Sequence, residues 1–155
     1  MKRFLMLALL VVAAIAPPAY AQNFPGPASP VLARLYFYRN VETNQVTRWT
    51  GVFLNDEKIG DLGERSYFFR DVQPGTYKVG VTSDVPYQDQ YRTVTVAPNS
   101  TTFIRVYFVP GYGIQFSPGS LNSGPTIYQP SVFGNRVVDP AVARQEMTGL
   151  SPAGN

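Results

Sequence analysis

Gln73-Pro74-Gly75-Thr76-Tyr77-Lys78-Val79-Gly80-Val81 is the stretch on which the fold turns. Proline at the second position of the Gln73–Thr76 quartet presets φ for a turn, and glycine at the third supplies the φ > 0 of a type II turn. The chain then leaves in alternation, with Tyr77, Val79 and Val81 on one side and Lys78, Gly80 and Thr82 on the other. A period of two predicts a strand with one buried and one wet face, as antiparallel sheets allow.

The same grammar extends both ways. Upstream, Gly51–Leu54 and Ile59–Leu62 flank Asn55-Asp56-Glu57-Lys58, which predicts a hairpin with a type I turn because Asn favours its first position. Leu32–Arg39 and Ser66–Arg70 read as further strands, and Asp84–Gln90, with Pro86, as a looser connection. Downstream, Thr93–Val96 and Thr102–Val109 flank the turn Ala97-Pro98-Asn99-Ser100. In the last strand Ile104, Val106 and Phe108 are expected to face the core, with Phe103, Arg105 and Tyr107 outward. That outward set is itself aromatic, so a second layer or the C-terminal tail is expected to share the strand. Strands spaced by roughly 8–12 residues predict an all-β domain over residues 31–116, an antiparallel sandwich or barrel of about seven strands, of which the β-sandwich, prealbumin- or immunoglobulin-like, is the expected one.

The flanks differ. Residues 22–30 (QNFPGPASP) read as a linker or extended arm, and residues 117–155 as a loop-rich tail with one short helix near 139–148. Asp139 is a good N-cap, Pro140 suits the first helical position and Gly149 can end the helix. Two to three turns are marginal alone, so Val142 and Met147 are expected to pack against the domain. Ile114–Phe116 and Thr126–Tyr128 are possible short strands.

The N-terminus carries an address. Lys2 and Arg3 precede an unbroken apolar run from Phe4 to Ala16, Pro17 and Pro18 stop it, and Ala19-Tyr20-Ala21 supplies the small residues a signal peptidase accepts. The run is too short for a spanning helix, which needs about 20 apolar residues. Residues 1–21 are therefore expected to be a signal peptide cleaved after Ala21, leaving no membrane span in the mature chain. Losing Lys2 and Arg3 from 13 basic residues leaves 11 against 10 acidic, a net of +1. That balance offers no counterion-release footprint for nucleic acid and no polybasic membrane patch. The expected location is the periplasm or the medium.

Composition removes much chemistry. The chain has no cysteine and no histidine. Disulfides, thiol nucleophiles, imidazole bases and thiolate or imidazole metal sites are thus excluded, as is a lipid-bearing cysteine. Neither Lys58 nor Lys78 has a serine three residues before it, and no Gly-rich phosphate cradle occurs. Asp56, Glu57, Asp61 and Glu64 cluster near the first hairpin and could serve a two-carboxylate hydrolase. They lack the ladder of a calcium loop, and solvated charge at a hairpin tip accounts for them as well. Asp84 and Asp89 flank a loop with Tyr87 and Tyr91 and invite the same idea. No cofactor or metal is expected.

Aromatics are the richest resource: Tyr36, Tyr38, Trp49, Tyr67, Tyr87, Tyr91, Tyr107, Tyr112 and Tyr128 all fall in the mature chain. Tyrosine joins an apolar ring to a polar tip and suits wet interfaces, and it also stabilises sheet faces from within. The possible binding surface is Arg34, Tyr36 and Tyr38 on one strand face, with Tyr87 and Tyr91 on the loop; a cross-strand cation–π ladder is the alternative use of that face.

Four pieces of the chain together resemble a bacterial family, the domain of unknown function 2846. They are Ala33-Arg34-Leu35-Tyr36-Phe37-Tyr38-Arg39, Val52-Phe53-Leu54-Asn55-Asp56-Glu57-Lys58-Ile59-Gly60, Pro74-Gly75-Thr76-Tyr77-Lys78-Val79 with the earlier Tyr67, and Thr102-Phe103-Ile104-Arg105-Val106. The likeness covers about residues 31–109. It departs from the family at Asn55-Asp56-Glu57, where many members place a glycine, and in lacking their lipid-bearing cysteine. The resemblance implies a small exported β-sandwich with no assigned catalytic residues.

The function expected from these readings is a soluble, exported, non-enzymatic interaction or envelope-accessory module whose partner is an unknown protein or a cell-envelope glycan. The alternatives are a carbohydrate- or peptidoglycan-binding module using exposed tyrosine and arginine, and a carboxylate hydrolase.

Overall fold

The structure, a computed structural model, describes residues 24–41, 48–110, 115–117, 126–128 and 130–153. The expected signal peptide and Tyr112 lie outside the described residues. The strands are β1 (Ala33–Arg39), β2 (Thr50–Leu54), β3 (Glu57–Leu62), β4 (Ser66–Val72), β5 (Gly75–Val81), β6 (Tyr91–Val96), β7 (Thr101–Phe108), β8 (Gln115–Ser117), β9 (Thr126–Tyr128), β10 (Phe133–Val138) and β11 (Ser151–Pro152), with one helix, α1 (Pro140–Glu146), between the last two.

Two sheets form the body. The larger has the order β10-β7-β1-β4-β11 and the smaller β3-β2-β5-β6, while β8 and β9 pair with each other. Between the sheets, Leu35 and Phe37 of β1 and Ile104 and Val106 of β7 meet Val52, Leu62, Val79, Val81, Val94 and Val96 of the smaller sheet. The fold is thus the all-β sandwich that the alternation predicts, with Ile104 and Val106 inward as read. The larger sheet is mixed rather than purely antiparallel: β1 pairs β7 in parallel, and β11 pairs β4 in parallel.

Two turns differ from the sequence reading. Asn55 and Asp56 both have positive φ, 50° and 68°, and Leu54 pairs directly with Glu57. The hairpin is therefore a two-residue turn of type I′, whose twist matches that of its strands, not type I. Gly75 has φ 158° and already pairs with Val96, so it opens β5 in extended backbone instead of sitting inside a type II turn.

The tail is more than a loop. Phe133–Val138 adds an edge strand to β7, and Ser151–Pro152 adds one to β4. Phe133–Val138 and Ser151–Pro152 therefore belong to the five-stranded sheet of the same sandwich. Helix α1 forms where its caps predict: Asp139 Oδ1 accepts from the Ala141 and Val142 amides, at 2.8 and 3.4 Å, and Gly149 takes φ 81° just past the end. Its buried face is Ala143 and Met147 rather than Val142, which is 47% exposed. Ala143 and Met147, one turn apart, pack with Tyr36, Tyr38, Phe103 and Leu150 on the outer side of the larger sheet. Every residue of β1 is buried as a result, because the strand is covered on both faces.

Candidate functional site

The residues expected to form a binding surface separate into two groups. Arg34, Tyr36 and Tyr38 share one face of β1, as alternation requires, but that face is closed: they are buried beneath α1 and the segment that precedes β1. Arg34 forms a bidentate pair with Asp71, Nε to Oδ1 at 2.7 Å and Nη2 to Oδ2 at 2.8 Å. The Arg34 guanidinium holds the Asp71 carboxyl below its usual range, and the same hydrogen bond raises Arg34. Tyr38 donates to Glu146 Oε2 at 2.5 Å, and Arg105 holds Oε1 at 2.8 Å. Burial first, and then the carboxylate that accepts its proton, push the Tyr38 phenol up. This face lacks the openness a wet surface needs because residues 24–28 and, more than 100 positions away, α1 both cover it, and how they pack is a relation that local sequence cannot show.

Tyr87 is half-buried and Tyr91 is 52% exposed. A β-carbon on Gly134 would meet Tyr107 and Tyr87 together, so Tyr87 lies against β10. Tyr91 lies instead on the outer face of the smaller sheet, and that face is open.

The open face is built by glycine. Gly80 of β5 pairs with Tyr91 of β6 and with Phe53 of β2. A β-carbon on Gly80 would sit 2.9 Å from Tyr91 Cε1 and 3.7 Å from Phe53 Cβ, so the Tyr91 ring leans over a backbone floor with the Phe53 side chain beside it. Gly51, two residues before Phe53, shares this face and leaves room for Phe53, Lys58 and Thr82. Two residues earlier again is Trp49, 62% exposed. A β-carbon on Gly63 would lie 3.1–3.2 Å from three atoms of its six-membered ring, so the indole lies flat against Gly63 with its other side free. Trp49, Phe53 and Tyr91 thus share the outer face.

Between Phe53 and Tyr91 lies a depression of about 320 Å³ that also reaches Asp56, Thr82, Ser83 and Gln90. Lys78 pairs with Asp56 at 2.8 Å and places its ammonium 4.6 Å from the Tyr91 ring centre. Lys58 pairs with Asp61 at 2.8 Å on the neighbouring strand. The surface combines flat apolar rings with fixed polar groups.

The carboxylates expected to cluster are dispersed into ion pairs. Asp56 and Asp61 hold the two lysines, Glu64 holds the buried Arg39 at 3.3 Å, and Glu57 sits exposed beside the hairpin turn. Asp84 accepts from the Ser131 amide at 2.6 Å, and Asp89 accepts from the Tyr107 hydroxyl at 2.6 Å. Among the described residues no group of three or more acidic side chains could hold a metal ion. No helix among them is long and apolar enough to cross a membrane.

Trp49 and Phe53 were the residues that sequence reading did not assign to a surface. Their signal was present: an odd-numbered aromatic pair flanking Gly51 across from Gly63 and Gly80. Recognising it requires the strand pairing.

Fold and face together define a small two-sheet β-sandwich with an open aromatic surface on its four-stranded sheet. Residues 31–120, more than half of the chain, match the family model described as protein of unknown function (DUF2846), and the chain belongs to that family. No curated protein and no solved structure matches it significantly.

Proposed function

We propose that this chain is an exported, non-enzymatic binding module of the cell envelope, and that the outer face of its four-stranded sheet holds a glycan. The observation that carries the reading is the row of Trp49, Phe53 and Tyr91 over glycine-floored backbone. A sugar ring presents a flat patch of C–H bonds edged by hydroxyls. Flat aromatic side chains take the first, and Asp56, Lys78, Thr82 and Gln90 offer donors and acceptors for the second. Trp49 and Phe53 are four residue steps apart, about 13 Å at ~3.3 Å per step, which favours a chain of sugars over a single one.

The non-enzymatic part rests on the inventory: no imidazole or thiol in the chain, and Asp56, Asp61 and Glu64 of the hairpin cluster each engaged by a cation. The export part rests on residues 1–21. Sequencing the N-terminus of protein recovered from periplasm or medium should give Gln22 first; an intact Met1 there overturns it.

The glycan reading is tested on insoluble peptidoglycan and a panel of insoluble polysaccharides at low salt. Trp49 is the only tryptophan, so its emission reports any ligand on this face directly. Retention, together with an emission shift on soluble fragments, is expected for the wild type and is lost in Trp49→Ala and Tyr91→Ala. Absence of retention on every polymer, or retention unchanged in both variants, overturns it.

A further inference from the structure

The closed face of the larger sheet contains a second recognition arrangement, and the chain itself fills it. The Phe24 ring packs edge-on against three others: Tyr36 at 5.6 Å, Tyr67 at 5.7 Å and Phe103 at 6.4 Å between centroids. The next residue, Pro25, presents a carbonyl that accepts from the Tyr36 hydroxyl at 2.9 Å and from Arg34 Nη1 at 3.2 Å. Three residues further, the Ala28 amide donates to Asp71 Oδ2 at 3.1 Å. A ring slot, a two-donor carbonyl clamp and an amide acceptor thus read one short stretch of extended peptide in register.

The receptor half stands without the arm. Tyr36 and Phe103 stack at 5.2 Å with an 11° interplanar angle, and the Arg34–Asp71 fork is closed by its own two hydrogen bonds. All these residues belong to paired strands β1, β4 and β7. The ligand half has no strand or helix from Phe24 to Leu32 and carries prolines at 25, 27 and 30. Proline suits such a site because it has no amide hydrogen to leave unpaired and arrives with little conformational entropy to lose. Beside the slot, Tyr67 and Phe69 continue with Pro152 into an open depression of about 320 Å³ at the β4–β11 edge, and Phe69 is 40% exposed.

We propose that this face is a recognition site for aromatic–proline segments of extended polypeptide on a partner protein, and that residues 24–28 are a resident competitor occupying it in cis. The chemistry that identifies the partner is that of the seated segment: an aromatic ring, a proline whose carbonyl is free, and an amide three residues on. A tethered segment acts at an effective concentration in the millimolar range, so it masks the site from weaker ligands and yields to a longer one that also uses the open depression.

The test uses the full mature chain. Phe24→Ala withdraws the ring and leaves the receptor residues intact. A fluorescent peptide of sequence QNFPGPAS, titrated into this variant, is expected to bind saturably, and at least tenfold more tightly than to the wild type. The peptide with alanine for phenylalanine should not bind. Tyr36→Phe introduced beside Phe24→Ala removes one carbonyl donor and should weaken the peptide by about 2- to 12-fold. If Phe24→Ala loses its sheets by circular dichroism, Phe24→Leu, which keeps apolar volume without the edge-on ring contacts, carries the same titration. Equal affinity for wild type and variant, or no binding to a folded variant, overturns the proposal. A concentration-dependent wild-type dimer that Phe24→Ala abolishes would seat a second copy's arm in the groove and also overturn it.

Discussion

The Trp49 indole lies face-down on Gly63, whose missing side chain is what lets the ring sit flat. Gly63→Ala adds a carbon that the ring must clear by a few tenths of an ångström. Expected is a changed Trp49 emission spectrum and weaker glycan retention, with a stability change of about 1 kcal/mol or less because the ring is mostly exposed. Fluorescence, the polysaccharide pull-down and a thermal melt check the three parts. An unchanged spectrum would show that the ring does not depend on that contact.

Gly134 plays the same part in the interior. A β-carbon there would lie 2.7 Å from Tyr107 Cζ, 2.8 Å from its hydroxyl and 3.0 Å from Tyr87. Tyr107 donates to Asp89 at 2.6 Å and helps hold the 84–90 loop beside β10. Gly134→Ala should break that bond and cost about 1–3 kcal/mol through overpacking. Chemical denaturation measures it, and Tyr107→Phe in the same background should add little, since the bond is already lost.

Tyr38 and Glu146 clamp α1 to the sheet, and their chemistry gives the fold an alkaline limit. The folded Tyr38 phenol titrates well above its unfolded value of about 10, chiefly through burial. Its contribution is therefore complete below pH 10 and is lost as the pH rises from there toward the folded value. Tyr107, raised by burial and Asp89, acts in the same direction. Melting temperature should fall steeply above pH 10 in the wild type and less so in Tyr38→Phe, which at neutral pH costs about 1–3 kcal/mol.

Asp71 sets the opposite limit. Arg34 keeps its carboxyl below the unfolded value of about 3.9. The stabilisation is thus present above that value and lost as the pH falls through the lower, folded one. Asp71→Asn should destabilise the protein at pH 7, and the gap between variant and wild type should close below about pH 4. Paired melts from pH 7 to pH 2 check it. A gap that stays constant would mean the pair adds only shape. Because Asp71 also receives the Ala28 amide, release of residues 24–28 at low pH should accompany the loss.

Much of the sandwich is legible in the chain because its determinants are local. Alternation in Tyr77–Val81 and in Ile104–Phe108 names the inward residues, and Asp139, Pro140 and Gly149 bound the helix they predict. Turn handedness was not legible: Asn55-Asp56 fits types I and I′ by composition, and the twist of the paired strands selects the latter. The exposure of the candidate surface residues was half legible. Tyr91, suitable by type, lies exposed on the outer face of the four-stranded sheet, whereas Arg34, Tyr36 and Tyr38, equally suitable by type, lie under a lid. The helical part of that lid is remote, since Glu146 is 108 positions from Tyr38, and the adjacent part, residues 24–28, has no strand or helix period to announce where it packs.

Residue types and near neighbours were enough to give the class of secondary structure, the parity of strands such as β5 and β7, and the absence of histidine and cysteine chemistry, because each is a property of one residue or of positions a few apart. Tertiary structure alone decided which parity stays wet. That choice depends on which segments outside the strands fold back onto each face: α1 and residues 24–28 close the outer face of the five-stranded sheet, while the corresponding face of the four-stranded sheet keeps Trp49 and Tyr91 open. Alternation makes a strand two-faced, and only the packing of other segments removes water from one face and leaves it on the other.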